Sequence, residues 1–460
     1  MFRNMVSSHS NSRDMTVNFD GIGELIPRST AQMHIYDDSQ DAAGVMTKGR
    51  RRCMSGMALL GLLLCLCAIV PWSSMAEETG VTGKTIRIGA TLPLEGDYRV
   101  YGAAMKQGME AALAGQTVQK HAIELDTVND FYDPVKAVAA AKQLIGKGIF
   151  AMVNSFGSST TEAVLPMLAE NKIPALGFYT GAAFAGPGDV LNVRASYAKE
   201  VETVIDAALA GGVKPTEVCA YVQNDAYGMS GIKGFRAALA KQAGTEQLVA
   251  KLDQLLNMPG KNPERNGIGP VGVYPRDTTS AREGYLSLKQ WEAASSTHCR
   301  LVVIMAVYDP AAAFIGYASH NKGEPWIFSS PSPAADKRLV TLLKENSVTD
   351  KVIATQVVPS PDSSLPVVVE ARKALSNGLN YVSLESYIVG KLFVAIMQAI
   401  DGPLTRENFL KAAHRQPYDI GGFKVDFING NQGSDFVQAT YLRDGQFVAI
   451  SPQELITLFK

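Results

Sequence analysis

Histidine, tryptophan and cysteine are scarce in this 460-residue chain, at six, three and five residues. Charge is scarce too, at 19% of residues, and nearly balanced, with a formal net charge of −1. No long basic or acidic block is present. A nucleic-acid partner needs a basic face, so none is expected. Low charge together with 46% hydrophobic residues argues against a disordered chain. The length suits two or three domains with sizeable cores.

Charge is absent altogether from Met54–Val70, which follows the basic cluster Lys48, Arg50, Arg51 and Arg52. Pro71 and Ser74-Met75-Ala76 come next. A basic region, an apolar run and a small-x-small site form the signal-peptide pattern, here over 46–76 with cleavage after Ala76. An uncleaved anchor is the bland alternative, but the run is at the short edge for a bilayer span. Cys65 and Cys67 do not follow the small residues that a lipid-attachment site needs. The protein is expected to be periplasmic. Residues 1–45 have no periodic pattern and would bury the signal inside the chain. They read as a non-native extension, with translation starting at Met46, or as a genuine disordered one. Without residues 1–76 the chain keeps 36 basic and 38 acidic residues and two cysteines, Cys219 and Cys299. Both cysteines stand near the starts of expected strands, Val218–Val222 and Leu301–Val307. In an oxidising space they form either a bridge or two buried thiols.

From Thr85 onward strand-like and helix-like stretches alternate, twice over, as two rounds of parallel βαβ units. The strands of the first round are Thr85–Leu94, Ile123–Asn129, Ile149–Val153, Ile173–Phe178 and Val190–Val193. Asp133-Pro134 is a helix start, with Asp as N-cap and Pro in the first turn. The second round has strands Val218–Val222, Leu248–Leu252, Leu301–Val307, Trp326–Ser329 and Val352–Val358. Asn257–Pro275 is rich in Pro, Gly and Asn and reads as a surface insertion in the second lobe. Two helical runs and a hairpin turning at Arg443-Asp444-Gly445 close the chain.

Ligands of open α/β sheets bind at the carboxyl ends of strands. NSFGSSTTEAVLP, Asn154–Pro166, is such a strand end. It lacks the second glycine of G-x-S-x-G, which argues against a serine hydrolase. It lacks the lysine of a phosphate loop, and no G-x-G-x-x-G follows a strand. What remains is a helix N-terminus whose N–H groups and hydroxyls suit a carboxylate. The plain alternative is a serine that only caps its helix. Tyrosines recur at the strand ends of both halves, which suggests an aromatic-walled cleft for a small organic molecule.

The stretches IRIGATLPLEGDYRVYG, VNSFGSSTTEAVLP, YTGAA with RASYA, NDAYGMSG, VYDPAAAFIGYA and SLESYIVGKL, in this order and spacing, resemble the type I periplasmic solute-binding proteins of the leucine/isoleucine/valine-binding family. These are the receptors of branched-chain amino acid ABC transporters. The resemblance covers about 85–450. It implies two Rossmann-like, doubly wound lobes joined by three hinge crossovers, near Ser196–Tyr197, near Pro359 and between His414 and Phe436. Lobe 1 would hold 77–196 with about 360–425, and lobe 2 would hold 197–359 with about 426–460. It implies no enzyme activity, no metal and no cofactor, and a monomer that hands its ligand to an ABC permease. A sensory receptor of the same fold is the alternative reading. The resemblance places a carboxylate grip at Ser158 and Ser159, with backbone groups of Tyr179 and Gly181 at the same end. Tyr101, Tyr227 and Tyr308 would line the cleft. The family's amino-acid binders carry an acid after the fourth strand of the second lobe. Here the turn from Ser330 to Pro333 has none, so Asp309 or Asp97 substitutes, or the ligand lacks an amine.

Overall fold

The computed structural model describes residues 77–460 apart from 261, 322–323 and 335–336. The extension, the signal peptide and its cleavage point lie outside the described residues.

In chain order the first half forms β1 (Thr85–Leu92), α1 (Arg99–Leu113), β2 (Thr117–Val118), β3 (His121–Asn129), α2 (Pro134–Gly146), β4 (Ala151–Val153), α3 (Ser158–Glu170), β5 (Ala175–Leu176) and β6 (Val190–Leu191). These strands make one six-stranded sheet, ordered β2-β3-β1-β4-β5-β6, parallel except for the β2–β3 pair. Then come α4 (Tyr197–Ala210), β7 (Val218–Gln223), α5 (Ala226–Ala240), α6 (Glu246–Leu256), β8 (Val271–Tyr274), α7 (Arg282–Ser295), β9 (Leu301–Met305), α8 (Tyr308–Ser319), β10 (Ile327–Ser330), α9 (Lys337–Glu345) and β11 (Val352–Gln356). The chain next adds α10 (Pro366–Leu375), α11 (Tyr381–Gln398), α12 (Arg406–Arg415) and the ribbon β12 (Tyr418–Ile420) and β13 (Phe423–Val425). It ends with β14 (Gln438–Arg443), β15 (Gln446–Ala449) and α13 (Pro452–Thr457). The second sheet has seven strands, ordered β15-β14-β11-β10-β9-β7-β8, with β14 and β15 antiparallel at one edge.

Two lobes follow from where the apolar faces go. Ile86 and Ile88 of β1 share a core with Met109 of α1, Val367 of α10, Phe393 of α11, Phe409 of α12 and Tyr418 of β12. Helix α4 packs instead with β7, β9 and α13. The chain therefore passes between lobes three times: from β6 to α4, from β11 to α10 and from β13 to β14. The first and third passages are tied together, since Asn192 N donates to the Asn431 carbonyl and Gly433 N to the Asn192 carbonyl, both at 2.7 Å.

Local signals explain several boundaries. Asp133 caps α2 by accepting from Val135 N at 2.8 Å and Lys136 N at 3.0 Å. The β14–β15 turn uses Asp444 (φ 49°) and Gly445 (φ 70°), the two positive φ values that a tight hairpin loop requires. Cys219 and Cys299 are joined in a disulfide with Cα atoms 5.8 Å apart and a sequence separation of 80.

Two readings are corrected. Leu248–Leu252, expected as a strand, lies inside α6, whose buried Leu248, Leu252 and Leu255 fall on one helical face. The strand beside β7 is β8, at the end of the stretch 257–275 read as a surface insertion. All four β8 residues are buried. Arg265 in the same stretch is also buried and donates to the Leu255 carbonyl at 2.9 Å and to Asn224. The Pro and Gly residues around β8 disguise a strand only four residues long.

Candidate functional site

The two lobes meet over the carboxyl ends of their strands. A cavity of about 10 Å³ lies between them, walled by Tyr132, Phe156, Gly157, Ser158, Tyr179, Tyr197, Tyr227, Val307 and Pro333. That is room for about one water molecule. Among the described residues no charged side chain is in this wall. Burial pushes the Tyr132 and Tyr227 hydroxyls well above their ordinary range. Burial also lifts Tyr197 to about 12, with Arg194 working against it. These hydroxyls remain protonated donors at any ordinary pH.

Helix α3 supplies the polar edge. Gly157 precedes it with φ 92°, and a Cβ there would stand 2.2 Å from the Tyr132 ring. The glycine thus lets the helix begin against that ring. The first-turn N–H groups of a helix lack intrahelical partners and carry partial positive charge. Ser158 faces the cavity, and its Oγ is 2.8 Å from Thr180 Oγ1. Ser159 is absent from the cavity wall and donates to Asp225 Oδ2 of the other lobe at 2.6 Å.

The other expected residues are placed as follows. Tyr179 gives its ring to the wall. Its N–H is committed to the Ser155 carbonyl at 2.7 Å, and its carbonyl accepts from Gly157 N at 3.2 Å. The Gly181 carbonyl accepts from Tyr197 N at 2.7 Å, and a Cβ at Gly181 would crowd that tyrosine. Tyr227 is in the wall. Tyr101 and Tyr308 are one layer out, stacked at 5.0 Å with planes 10° apart. Tyr101 also stands 4.9 Å from Phe156 and donates to the Pro333 carbonyl, which joins lobe 1 to lobe 2. Ser330 is buried at the end of β10 but is not in the wall. Asp309 pairs with Arg338 at 3.1 Å, and Asp97 is exposed.

Sequence reasoning missed the centre of the hinge. Arg194, just before the first passage, is 2% exposed. Its guanidinium lies 4.6 Å from the Tyr179 ring and 5.5 Å from the Tyr197 ring, both in the cavity wall. It pairs with Glu385 of α11 at 3.6 Å and with Glu200 of α4 at 4.0 Å, and it donates to Ser332 Oγ. Glu200 accepts from Ser332 N at 2.8 Å, Ser332 Oγ at 3.0 Å and Thr355 Oγ1 at 2.5 Å. The Arg194 carbonyl accepts from Gln432 Nε2 of the third passage at 2.6 Å. Burial works against charge on Arg194, but Glu385, the nearby tyrosines and Glu200 outweigh it and hold the guanidinium charged. Burial raises Glu385 to about 7, with Arg194 pulling down and Glu200 pushing up. Glu200 is also raised by burial, against Arg194 and its hydrogen bonds. Only one signal in the sequence pointed here: a lone arginine in the apolar stretch from Val190 to Ala195.

Two open α/β lobes, three hinge passages and a cleft at the strand ends make the type I periplasmic binding protein fold. The family model for periplasmic binding proteins matches residues 85–254. A "possible leucine/isoleucine/valine-binding protein" from Rhodopirellula baltica SH 1 superposes with a TM-score of 0.70 at 27% identity, over 82% of this chain and 99% of that one. A branched-chain amino acid ABC transporter protein from Thermus thermophilus, with bound valine, gives a TM-score of 0.61 at 16% identity, over 80% of this chain and 96% of that one. A fatty acid ABC transporter substrate-binding protein from Thermomonospora curvata gives 0.62 at 17%, over 83% and 95%. The last two likenesses speak to fold alone. A Leu/Ile/Val-binding protein homolog 2 from Brucella abortus is 27% identical over 114 residues, 24% of this chain and only 29% of the relative's length. The resemblance to leucine/isoleucine/valine-binding proteins read from the sequence is borne out, as is the two-lobed fold. These relatives are solute-binding proteins rather than enzymes. No helix among the described residues is long and apolar enough to cross a membrane.

Proposed function

We propose that this protein is a periplasmic receptor, exported by a cleaved signal peptide over 46–76, that binds a small carboxylate-bearing solute and delivers it as a monomer to an ABC permease. The single observation that carries the reading is the cavity between the lobes. Aromatic rings wall it, and a helix N-terminus with the Ser158 hydroxyl supplies its polar edge. A carboxylate there would meet N–H donors, the helix dipole and one hydroxyl without a buried cation in the wall. At about 10 Å³ the cavity is too small for an amino acid, so entry requires the lobes to part and reclose by hinge motion. Micromolar affinity needs only about −8 kcal/mol. A few donors and aromatic walls supply that much. The ligand is an amino acid or a related organic acid.

A thermal-shift panel of α-amino acids, aromatic acids, aliphatic acids and their amides tests this. Acids should raise the melting temperature and the matching amides should not. Equal shifts from acid and amide would remove the carboxylate from the proposal.

A further inference from the structure

Among the described residues the wall of the cavity has donors to offer a ligand, but its acceptors are already in use. The first-turn N–H groups of α3 and the Ser158 hydroxyl are donors at its polar edge. The backbone carbonyls of the wall are engaged. Tyr132 O accepts from the Arg276 guanidinium, Phe156 O from Thr160 Oγ1 and Pro333 O from the Tyr101 hydroxyl. Gly157 O accepts from Thr161 N at 3.2 Å, Tyr179 O from Gly157 N at 3.2 Å and Val307 O from Ala311 N at 3.0 Å. Ser158, Tyr197 and Tyr227 stand in the first turns of α3, α4 and α5, where each carbonyl meets the N–H four residues on.

The acids nearest the wall are engaged as well. Asp225 Oδ1 accepts from Tyr227 N at 3.0 Å and Gly228 N at 3.3 Å. Its Oδ2 accepts from Ser159 Oγ at 2.6 Å and Gln223 Nε2 at 2.7 Å. Glu200 is held by Ser332, Thr355 and Arg194, and Glu385 by Arg194. None of the three borders the cavity.

An ammonium brings only donors and a full charge. A carbonyl has a second lone pair and a hydroxyl can accept, but neither balances that charge, and burying an unpaired ion is costly. Aromatic rings can hold a cation without an acid. Here that route is opposed. The guanidinium carbon of Arg276 stands 4.1 Å from the centroid of the Tyr132 ring, and that of Arg194 stands 4.6 Å from the Tyr179 ring. Neither arginine borders the cavity, so both rings already serve a cation outside it. An ammonium inside would face like charge across the same rings. A carboxylate asks only for donors, and donors are what this site has left.

We propose that the ligand is a carboxylic acid with an apolar, aromatic or aliphatic body and no ammonium group, and that the cleft refuses α-amino acids. This rests on the carboxylate reading above and adds the refusal of the amine.

Calorimetry with matched pairs tests it: hydrocinnamate against phenylalanine and isocaproate against leucine, with benzoate, octanoate and hydrocinnamamide alongside. Hydrocinnamate and isocaproate should each bind at least about tenfold tighter than the matching amino acid. An amino acid that binds as tightly as its deaminated partner would overturn the proposal. So would a panel in which no acid binds. Failure of the carboxylate reading looks different, since hydrocinnamamide would then bind as well as hydrocinnamate, whatever the amino acids do. Val307→Asp puts an acid into the wall. Val307 is the N-cap of α8 and makes no side-chain cap bond, and Asp suits that position, so the variant should fold. Its preference for hydrocinnamate over phenylalanine should fall at least about tenfold. An unchanged preference at a melting temperature near wild type would overturn the role given to the wall's acceptors. If Val307→Asp does not fold, the wild-type pairs decide alone.

Discussion

Among the described residues the cavity wall carries no charged side chain, while the hinge packed against its tyrosines buries three: Arg194, Glu200 and Glu385. The difference reflects two tasks. A ligand site that must open and reclose works with neutral donors and shape, because desolvating a fixed charge at each closing would be costly. A hinge that must hold three chain passages in register can keep its charges permanently buried. It can do so only if they are paired and hydrogen-bonded, and Glu200 meets that condition with three donors besides Arg194. Glu385 meets it less well. Among the described residues its one ion pair is the 3.6 Å contact with Arg194, which pulls its pKa down without offsetting the burial that raises it to about 7.

The comparison can be broken most severely at the hinge. Arg194→Met would leave two buried carboxylates without a counter-charge, and unfolding in urea should show a loss of about 3–5 kcal/mol. A loss under about 1 kcal/mol would mean that the charges are not what holds the hinge. Next comes pH. The folded Glu385 value of about 7 is above its ordinary 4.5. Its contribution to stability is therefore fully present below about 4.5 and is lost as pH rises through about 7. The full span is on the order of 3 kcal/mol. Glu385→Gln should flatten stability across that window. A residual slope of the same sign should persist from Asp130, which burial raises to about 6 against several hydrogen bonds. An unchanged pH profile would place the titration elsewhere.

Effects in the cleft should be smaller and should appear in binding rather than folding. Ser158→Ala should weaken the best acid of the ligand panel at least tenfold, about 1.4 kcal/mol by calorimetry, with little change in melting temperature. Equal affinity would leave Ser158 as a partner of Thr180 and nothing more. Smallest is Tyr101→Phe, which keeps the stack on Tyr308 and removes the bond to the Pro333 carbonyl. The cost to stability should be about 1 kcal/mol. A much larger loss would show that this hydrogen bond between the lobes, and not only the ring stack, supports closure.

Legibility differed between these regions for physical reasons. The cap at Asp133 and the turn at Asp444-Gly445 are local chemistry and could be read directly. The loop at Asn154–Pro166 could be placed at a strand end because apolar residues precede it and a helix-forming stretch follows. The error at Leu248–Leu252 was avoidable, since Leu248, Leu252 and Leu255 have helical spacing. β8 was harder, being four residues among prolines and glycines. The hinge gave no signal beyond a lone arginine, because Arg194, Glu200 and Glu385 come from an irregular segment and two helices, with Glu385 far from the other two in sequence.

By itself, then, the sequence determined the alternation of strands and helices, hence two parallel-sheet lobes with their sites at the strand ends. It also determined that one such end starts a helix with two adjacent serines. Only the tertiary structure decided what each serine does. Neighbours on a helix point about 100° apart, so Ser158 faces the cavity and Ser159 faces the opposite lobe. Which direction is ligand and which is protein depends on where that lobe comes to rest, and no local pattern encodes it.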